Sequence, residues 1–270
     1  MADRHVFALL HEALRDRVPA VLVTVIEAPD SALVGAKALF VRPQGQTSVC
    51  LSTLPDEWMA EVSERAEKRL GLFLGGGSSR RIAVETLNCA PGVSVSVEAF
   101  QPRPRLVIAG AGHIAVPAHE IADIVGFAVT VLDDRPSFAD PQRFPRAERV
   151  VCEEFAKGIA GLGIDSHTAV VVVTRGHLHD LEVLRALATT TPAYVGMIGS
   201  RRRTLTVLRR LVEEGYPEEF VDGIYAPIGL DIGAETPQEI ALAIVSEVVC
   251  VIKGGSGTHL RRGIRRIRLE

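Results

Sequence analysis

The chain has 270 residues, enough for one large domain or two of ordinary size. Apolar residues make up 47% and aromatic residues only 5%, so Val, Ile, Leu and Ala carry the core, as suits parallel sheets and the helices that cover them. A formal charge of −3 argues against wholesale binding to nucleic acid or to an anionic membrane surface.

In chain order, His5 to Arg17 carries Val6, Leu9, Leu10, Ala13 and Leu14 at a helical period, and Pro19 ends it. Ala20 to Ile26 and Lys37 to Val41 are expected strands, with Pro29, Asp30 and Gly35 turning the chain between them. Pro43 to Gln46 turns again, and Ser48 to Leu51 is a third strand. Pro55 to Leu70 has the marks of an amphipathic helix: Pro55 at its start, Asp56 and Glu57 in the first turn, Arg69 near its end and Gly71 as a stop. Leu72 to Leu74, Ile82 to Leu87 and Val93 to Phe100 are expected short strands, with Gly75 to Ser79 a hairpin loop or a phosphate-sized turn between the first two. Gln101-Pro-Arg-Pro104 is a stiff joint. We place the boundary there: a small α+β domain over residues 1–101, and a second domain over 102–270.

The second domain opens on Arg105-Leu-Val-Ile-Ala-Gly-Ala-Gly-His-Ile-Ala115. Leu106 to Ala109 is apolar without alternation, as in a strand buried on both faces. Gly110, Gly112 and Ala115 follow at the spacing G-x-G-x-x-A, which combines a tight turn, close approach of a phosphate to backbone, and close packing of helix on strand. A helix over Ile114 to Val125 and a strand over Ala128 to Leu132 come next, and Asp133-Asp134 falls about 20 residues past the glycines, where a ribose-binding acid belongs. Strand and helix then alternate: strands at Arg149 to Cys152, Thr168 to Val173 and Ala193 to Ile198, and helices at Leu181 to Thr189 and Arg201 to Glu214, the latter N-capped by Ser200. A glycine-bearing loop, Ala226 to Glu235, leads to a last helix running to about Lys253. Thr236, Pro237 and Glu239 give that helix a capping box with proline at its first position. Arg261 to Arg268 closes the chain as a basic tail. The fold class is α/β: a Rossmann-like doubly wound parallel sheet preceded by a smaller α+β domain.

In such a sheet, ligands sit off the carboxyl ends of the strands. The polar residues there are Gly110, Gly112 and His113, then Asp133, Asp134 and Arg135, then Thr174, Arg175, Gly176, His177, His179 and Asp180, then Gly199, Ser200, Arg201, Arg202 and Arg203. His177, His179 and Asp180 have the chemistry to move protons or bind metal, or else to cap the helix they open. Arg201 and Arg202 stand where a helix N-terminus already favours an anion, and so are candidate phosphate holders. Asp231, Gly229 and Gly233 lie in a loop able to fold over the same edge. The sequence carries neither a G-x-x-x-x-G-K-[ST] phosphate loop nor a G-x-S-x-G nucleophile.

Cys50, Cys89, Cys152 and Cys250 are far apart and lack zinc-type spacing, as in a reducing compartment; Cys152 and Cys250, in apolar runs, are expected to be buried. The N-terminus lacks a secretory signal pattern, and no apolar run approaches the roughly 20 residues of a membrane span, so a cytoplasmic protein is expected.

Together, Gly110-Ala-Gly-His-Ile-Ala115, Leu132-Asp-Asp-Arg135, Thr174-Arg-Gly-His-Leu-His-Asp180, Gly196-Met-Ile-Gly-Ser-Arg-Arg202 and Ile228-Gly-Leu-Asp-Ile-Gly-Ala-Glu-Thr-Pro237 resemble the XdhC/CoxI family of xanthine dehydrogenase accessory factors. The resemblance covers essentially the whole second domain. It implies a cytoplasmic, non-catalytic factor that binds molybdenum cofactor (molybdopterin or its cytosine dinucleotide), protects it while a cysteine desulfurase supplies the terminal sulfide, and delivers it to an apo molybdenum hydroxylase. A cofactor-synthesis nucleotidyltransferase is a further implied partner. The first domain is divergent: Gln46 to Pro55 lacks the family's glycine run and Leu-Glu pair, and Cys50, near the family cysteine, is the implied molybdenum or sulfur ligand. On this reading Gly110, Gly112 and His113 line the phosphate turn, Asp133 and Asp134 face a ribose or pterin edge, and Thr174, Arg175, Gly199, Ser200, Arg201, Arg202 and Asp231 complete the cofactor site. His177, His179 and Asp180 then face its reactive end. The alternatives are an NAD(P)-dependent oxidoreductase with His177 or His179 as proton donor, and a nucleotide-sensing regulator; Arg135 tilts a bound nucleotide towards NADP. Apolar strand edges in the small domain leave room for a homodimer.

Overall fold

A computed structural model describes residues 2–43, 47–74 and 82–260. The expected turns at 44–46 and 75–79 and the basic tail at 261–268 lie outside the described residues. The chain divides into two compact units, Met1–Arg103 and Pro104–Glu270.

In the first unit, helix α1 (Ala2–Arg15) leads into strands β1 (Ala20–Glu27), β2 (Lys37–Val41) and β3 (Ser48–Ser52). A 3-10 turn, Asp56–Trp58, then opens α2 (Met59–Leu74), and β4 (Ile82–Thr86) and β5 (Ser94–Phe100) follow. The strands form one antiparallel sheet in the order β3-β2-β1-β5-β4. Side chains alternate between its faces. Val21, Val23 and Val25 of β1 pack with Val95 and Val97 against Val62, Ala66 and Leu70 of α2. Ala20 and Leu22 pack with Leu39 and Val41 against Val6 and Leu10 of α1. The expected strand at Leu72 to Leu74 is instead the last turn of α2. A glycine inside a helix costs only about 1 kcal/mol, and Gly71 has no positive φ to stop this one.

The second unit contains β6 (Arg105–Ala109), α3 (Ala115–Ile124), β7 (Ala128–Asp133), β8 (Arg149–Cys152), α4 (Phe155–Gly161) and β9 (Thr168–Val172). It continues with α5 (His177–Leu187), β10 (Tyr194–Met197), α6 (Arg201–Glu213), α7 (Glu218–Asp222), β11 (Ile224–Tyr225) and α8 (Pro237–Lys253). All six strands are parallel, in the order β11-β10-β9-β6-β7-β8. The order reverses between β6 and β9, so the sheet is doubly wound with its switch point at those two strands. One face carries α4, α5 and α6, through Phe155, Ile159, Leu184 and Leu211, on Val107, Ala109, Val170 and Val172. The other carries α3 and α8, whose Ala115, Ala118, Ala122 and Ala241 allow close approach to Leu106, Ile108, Val129 and Val171.

Three elements were not expected: α4, α7 and β11. Gly158 and Gly161 weaken the helical signal of α4. Gly158 is needed there, because a Cβ at that position would stand 2.5 Å from Leu132 Cδ1. Two cysteines also differ from expectation. Cys152 is exposed, because β8 is the edge strand, and Cys250 is only half-buried, its thiol 2.9 Å from the Gly255 carbonyl.

Candidate functional site

The carboxyl ends of β6, β7, β9 and β10 lie side by side in the sheet order β10-β9-β6-β7. At the end of β6 the chain must turn against β9. Gly110 takes φ +111°, and a Cβ there would sit 2.5 Å from the Val173 carbonyl oxygen, so the position admits only glycine. Gly112, by contrast, faces open space within 4 Å. The N–H groups of Gly112, His113 and Ile114 meet no acceptor among the described residues, and they lead into the N-terminus of α3. His113 is exposed.

Asp133 and Asp134 are adjacent and do different things. Asp133 is 1% exposed and its carboxylate is spent beneath the turn. Oδ2 accepts from Ala111 N–H at 2.7 Å and from Arg135 Nη2 at 2.9 Å; Oδ1 accepts from Arg135 N–H at 3.0 Å and from Arg135 Nε at 2.8 Å. Burial pushes this carboxyl up, but Arg135 and the two N–H groups outweigh it and leave it below the ordinary carboxylate value. The expected ribose-facing role therefore meets a correction: Asp133 locks the glycine turn, and its oxygens are turned inward. Arg135 is drawn the same way and lies over the Phe138 ring at 3.5 Å.

Asp134 points out instead. It pairs in fork geometry with Arg175, Oδ1 to Nη1 at 2.5 Å and Oδ2 to Nη2 at 2.7 Å. Its hydrogen bonds to Arg175 hold its carboxyl down at about 2.

The segment after β9 is anchored from within. Thr174 is buried, with Oγ1 2.5 Å from Asp180 Oδ1 and 3.1 Å from the Gly176 carbonyl. Asp180 has no exposed surface, so it does not face a ligand as expected. Its Oδ2 accepts from Arg203 Nε at 3.0 Å and from Arg203 Nη2. Burial outweighs these partners and raises the Asp180 carboxyl above the ordinary value. Arg203, which the sequence placed with Arg201 and Arg202 at the ligand edge, instead ties α6 to the β9 loop. His177 is exposed at the start of α5. His179 is half-buried, with Nδ1 3.4 Å from Glu182 Oε2 and its ring tilted against Phe155 at 5.4 Å. Thus His177, His179 and Asp180 do not converge on one point: the acid faces in and the first imidazole faces out.

After β10, Gly199 leads to Ser200, which caps α6 by accepting from Arg203 N–H at 3.3 Å. Arg201 and Arg202 are exposed, and among the described residues their guanidiniums make no ion pair. Cations at a helix N-terminus are unfavourable by themselves. The 226–235 loop is pinned to α8 and β10: Gly229 N–H donates to Glu247 Oε1 at 3.1 Å, and the Tyr194 hydroxyl donates to the same oxygen at 2.5 Å. Burial and Glu247 push the Tyr194 hydroxyl strongly up. Asp231 is exposed at the tip of this loop.

In the first unit, Cys50 is exposed on the edge strand β3. Desolvation, with Glu12 adding to it, pushes its thiol up, which disfavours the thiolate a metal or sulfur ligand needs. Among the described residues no group of three or more His, Cys, Asp or Glu could hold a metal ion. A groove of about 450 Å³ in this unit is lined by Glu61, Arg65, Lys68, Arg69 and Glu85. Four of these charges pair with one another: Arg65 with Glu61 and with Glu85 at 2.6 Å, and Arg69 with Glu85 at 3.0 Å.

The doubly wound parallel sheet and its glycine turn at the switch point define a dinucleotide-fold protein. Residues 106–248, more than half of the chain, match the XdhC Rossmann domain family, and the chain belongs to that family. It is 32% identical over 192 residues to the uncharacterized protein YqeB of Escherichia coli K12, covering 71% of this chain and 35% of that one. It is 33% identical over 153 residues to a probable xanthine dehydrogenase subunit of Bacillus subtilis 168, covering 57% and 44%. It is 28% identical over 152 residues to the molybdenum cofactor insertion chaperone PaoD of E. coli K12, covering 56% and 41%. The matched stretches thus span under half the length of these relatives. A crystal structure of a xanthine dehydrogenase from Bacillus halodurans shares the fold, with a TM-score of 0.53 at 21% identity over 91% of this chain and 93% of that one. Among the described residues no helix is long and apolar enough to cross a membrane.

Proposed function

We propose that this chain is an accessory factor for molybdenum hydroxylases. It binds molybdenum cofactor as cargo at the carboxyl edge of the parallel sheet and delivers it to an apo-hydroxylase of the xanthine dehydrogenase class. The observation that carries this reading is the set of donors left without acceptors among the described residues: the N–H groups of Gly112, His113 and Ile114, and the guanidiniums of Arg201 and Arg202. This donor set fits a phosphate-bearing ligand, and β9 alone separates β6 from β10, so strand spacing sets their ends about 10 Å apart. Membership of the XdhC family and the likeness to PaoD, a molybdenum cofactor insertion chaperone, support the cargo's identity.

In this reading the backbone of the glycine turn and the two arginines grip the phosphate of the pterin. His177 and His179, on the outer and middle parts of the α5 entrance, stand beside it. Protection during sulfuration, the desulfurase that supplies sulfide and the nucleotidyltransferase that precedes it belong to the same proposal, with the chain as carrier rather than catalyst. A nicotinamide ligand is less well served, because the acid that would read its ribose, Asp133, has both oxygens occupied from within.

The test is direct titration of the purified chain with isolated molybdenum cofactor, NADH and NADPH. Binding is followed by fluorescence, and protection by the rate of pterin oxidation. Cofactor binding that slows oxidation, and that weakens in Arg201→Ala/Arg202→Ala, is the expected result. Tight nicotinamide binding without cofactor binding sinks the proposal.

A further inference from the structure

We propose that Asp134 is a built-in stand-in for a ligand phosphate: it holds Arg175 across the end of β6 until a phosphate-bearing ligand takes its place. Asp134 follows β7 and Arg175 precedes α5, just after β9. These strands are not neighbours; β6 lies between them. Their bidentate pair, at 2.5 and 2.7 Å, therefore spans the carboxyl end of the strand that feeds the glycine turn. A ligand lying along that turn has to meet this pair.

The pair is built for exchange. A guanidinium fork matches a carboxylate and a phosphate with the same two parallel hydrogen bonds. The Arg175 side chain is 39% exposed and that of Asp134 is 23%, so neither is sealed in place by packing. Asp133 next door, by contrast, is 1% exposed and anchored by backbone N–H groups. Releasing Asp134 thus leaves the turn intact. Glu182 lies near Arg175, and His179 lies near Asp134. The consequence is that Arg175 is a specificity-determining contact for phosphate, and Asp134 sets a threshold that weak anions fail to cross.

The exchange itself concerns any phosphate; that the natural ligand is molybdenum cofactor rests on the function proposed above. Two probes keep the two apart: inorganic pyrophosphate and isolated molybdenum cofactor. Each is titrated calorimetrically into wild type, Asp134→Asn, Asp134→Ser, Arg175→Gln and the Asp134→Asn/Arg175→Gln double variant, with thermal midpoints checking the fold. Removing a competing half-exposed carboxylate should tighten binding about three- to tenfold in both Asp134 variants. Arg175→Gln should weaken binding, and the double variant should match Arg175→Gln. The 15N-detected Nε–H signal of Arg175 should move on adding pyrophosphate to wild type. Unchanged or weaker binding in both Asp134 variants, or an unmoved Arg175 signal at saturating pyrophosphate, overturns the exchange. So does a failure of every variant to bind either probe. If the pattern holds for pyrophosphate while no variant binds the cofactor, the exchange stands and the cofactor reading falls. Cofactor binding indifferent to both positions has the opposite meaning.

Discussion

Asp180 lies wholly inside the protein, and Arg203 reaches it from a different helix, Nε to Oδ2 at 3.0 Å. Removing one partner of such a pair leaves a buried charge without compensation. Arg203→Ala should therefore cost about 3 kcal/mol, read from chemical denaturation of the full chain. The loss should depend on pH. Burial already raises Asp180 above its ordinary value of 3.8, and losing Arg203 raises it further. A raised carboxyl stabilises the fold below the ordinary value and loses that contribution as pH rises through the folded value. The Arg203→Ala penalty should accordingly be larger at pH 8 than at pH 5. An equal penalty at both would mean that Asp180 stays ionised, or that solvent enters.

Gly110 and Gly112 should part company on substitution. At Gly110, alanine forces a Cβ to 2.5 Å from the Val173 carbonyl oxygen at φ +111°, for a loss of about 3 kcal/mol. At Gly112 a Cβ meets nothing within 4 Å, so Gly112→Ala should keep the wild-type melting temperature. Its effect should fall on anion affinity instead. If Gly112→Ala binds pyrophosphate as well as wild type, the backbone there is not a phosphate contact.

Glu61 predicts acid sensitivity in the first unit. The N–H of Asn88 at 2.9 Å leads its partners, with Cys89 N–H at 2.8 Å and Arg65, and together they hold its carboxyl at about 2. A depressed carboxyl stabilises the fold above its ordinary value, 4.5, and that contribution is lost as pH falls through about 2. Glu61→Gln should lower stability at pH 7 and flatten its decline between those two values, as followed by circular dichroism. A variant with an unaltered acid titration would show that other carboxylates govern that decline.

Glu247 holds the 226–235 loop by one oxygen, shared between Gly229 N–H and the Tyr194 hydroxyl. Glu247→Ala orphans the buried Tyr194 hydroxyl at a cost of about 2 kcal/mol. Amide exchange at Gly229 should quicken far more than exchange in β9. Equal protection in variant and wild type would mean that the Leu230 N–H bond to the Ala243 carbonyl, at 3.2 Å, suffices alone.

Features that are local in sequence were legible in advance. The turn after β6 follows from three small residues at fixed spacing. The start of α8 follows from Thr236, Pro237 and Glu239, whose reciprocal capping bonds are present at 2.9 and 3.3 Å. What the sequence hid was direction. Asp133 and Asp134 carry the same chemistry at adjacent positions, and only the partners each finds (Ala111 and Arg135 for one, Arg175 for the other) decide which is buried. Asp180 likewise looked ligand-facing until Arg203, from the next helix, claimed it. Helix α4 was hidden because Gly158, which lowers its propensity, is what lets it lie on Leu132. Cys152 looked buried because its strand is apolar, yet the strand's place in the sheet leaves it outside.

The close approach of Gly110 to Val173 also sets an order of events during synthesis. When the glycine turn leaves the ribosome, the carbonyl that shapes it has not yet been made. β6 can pair first with β7, but its other edge waits for Thr168–Val172. Until then one flank of a strand that is apolar from Leu106 to Ala109 stands open, in a sheet whose distant pairings form slowly. The glycine turn after β6 is therefore among the later parts of this protein to take shape, and a nascent chain halted before residue 173 should be unable to hold any ligand there.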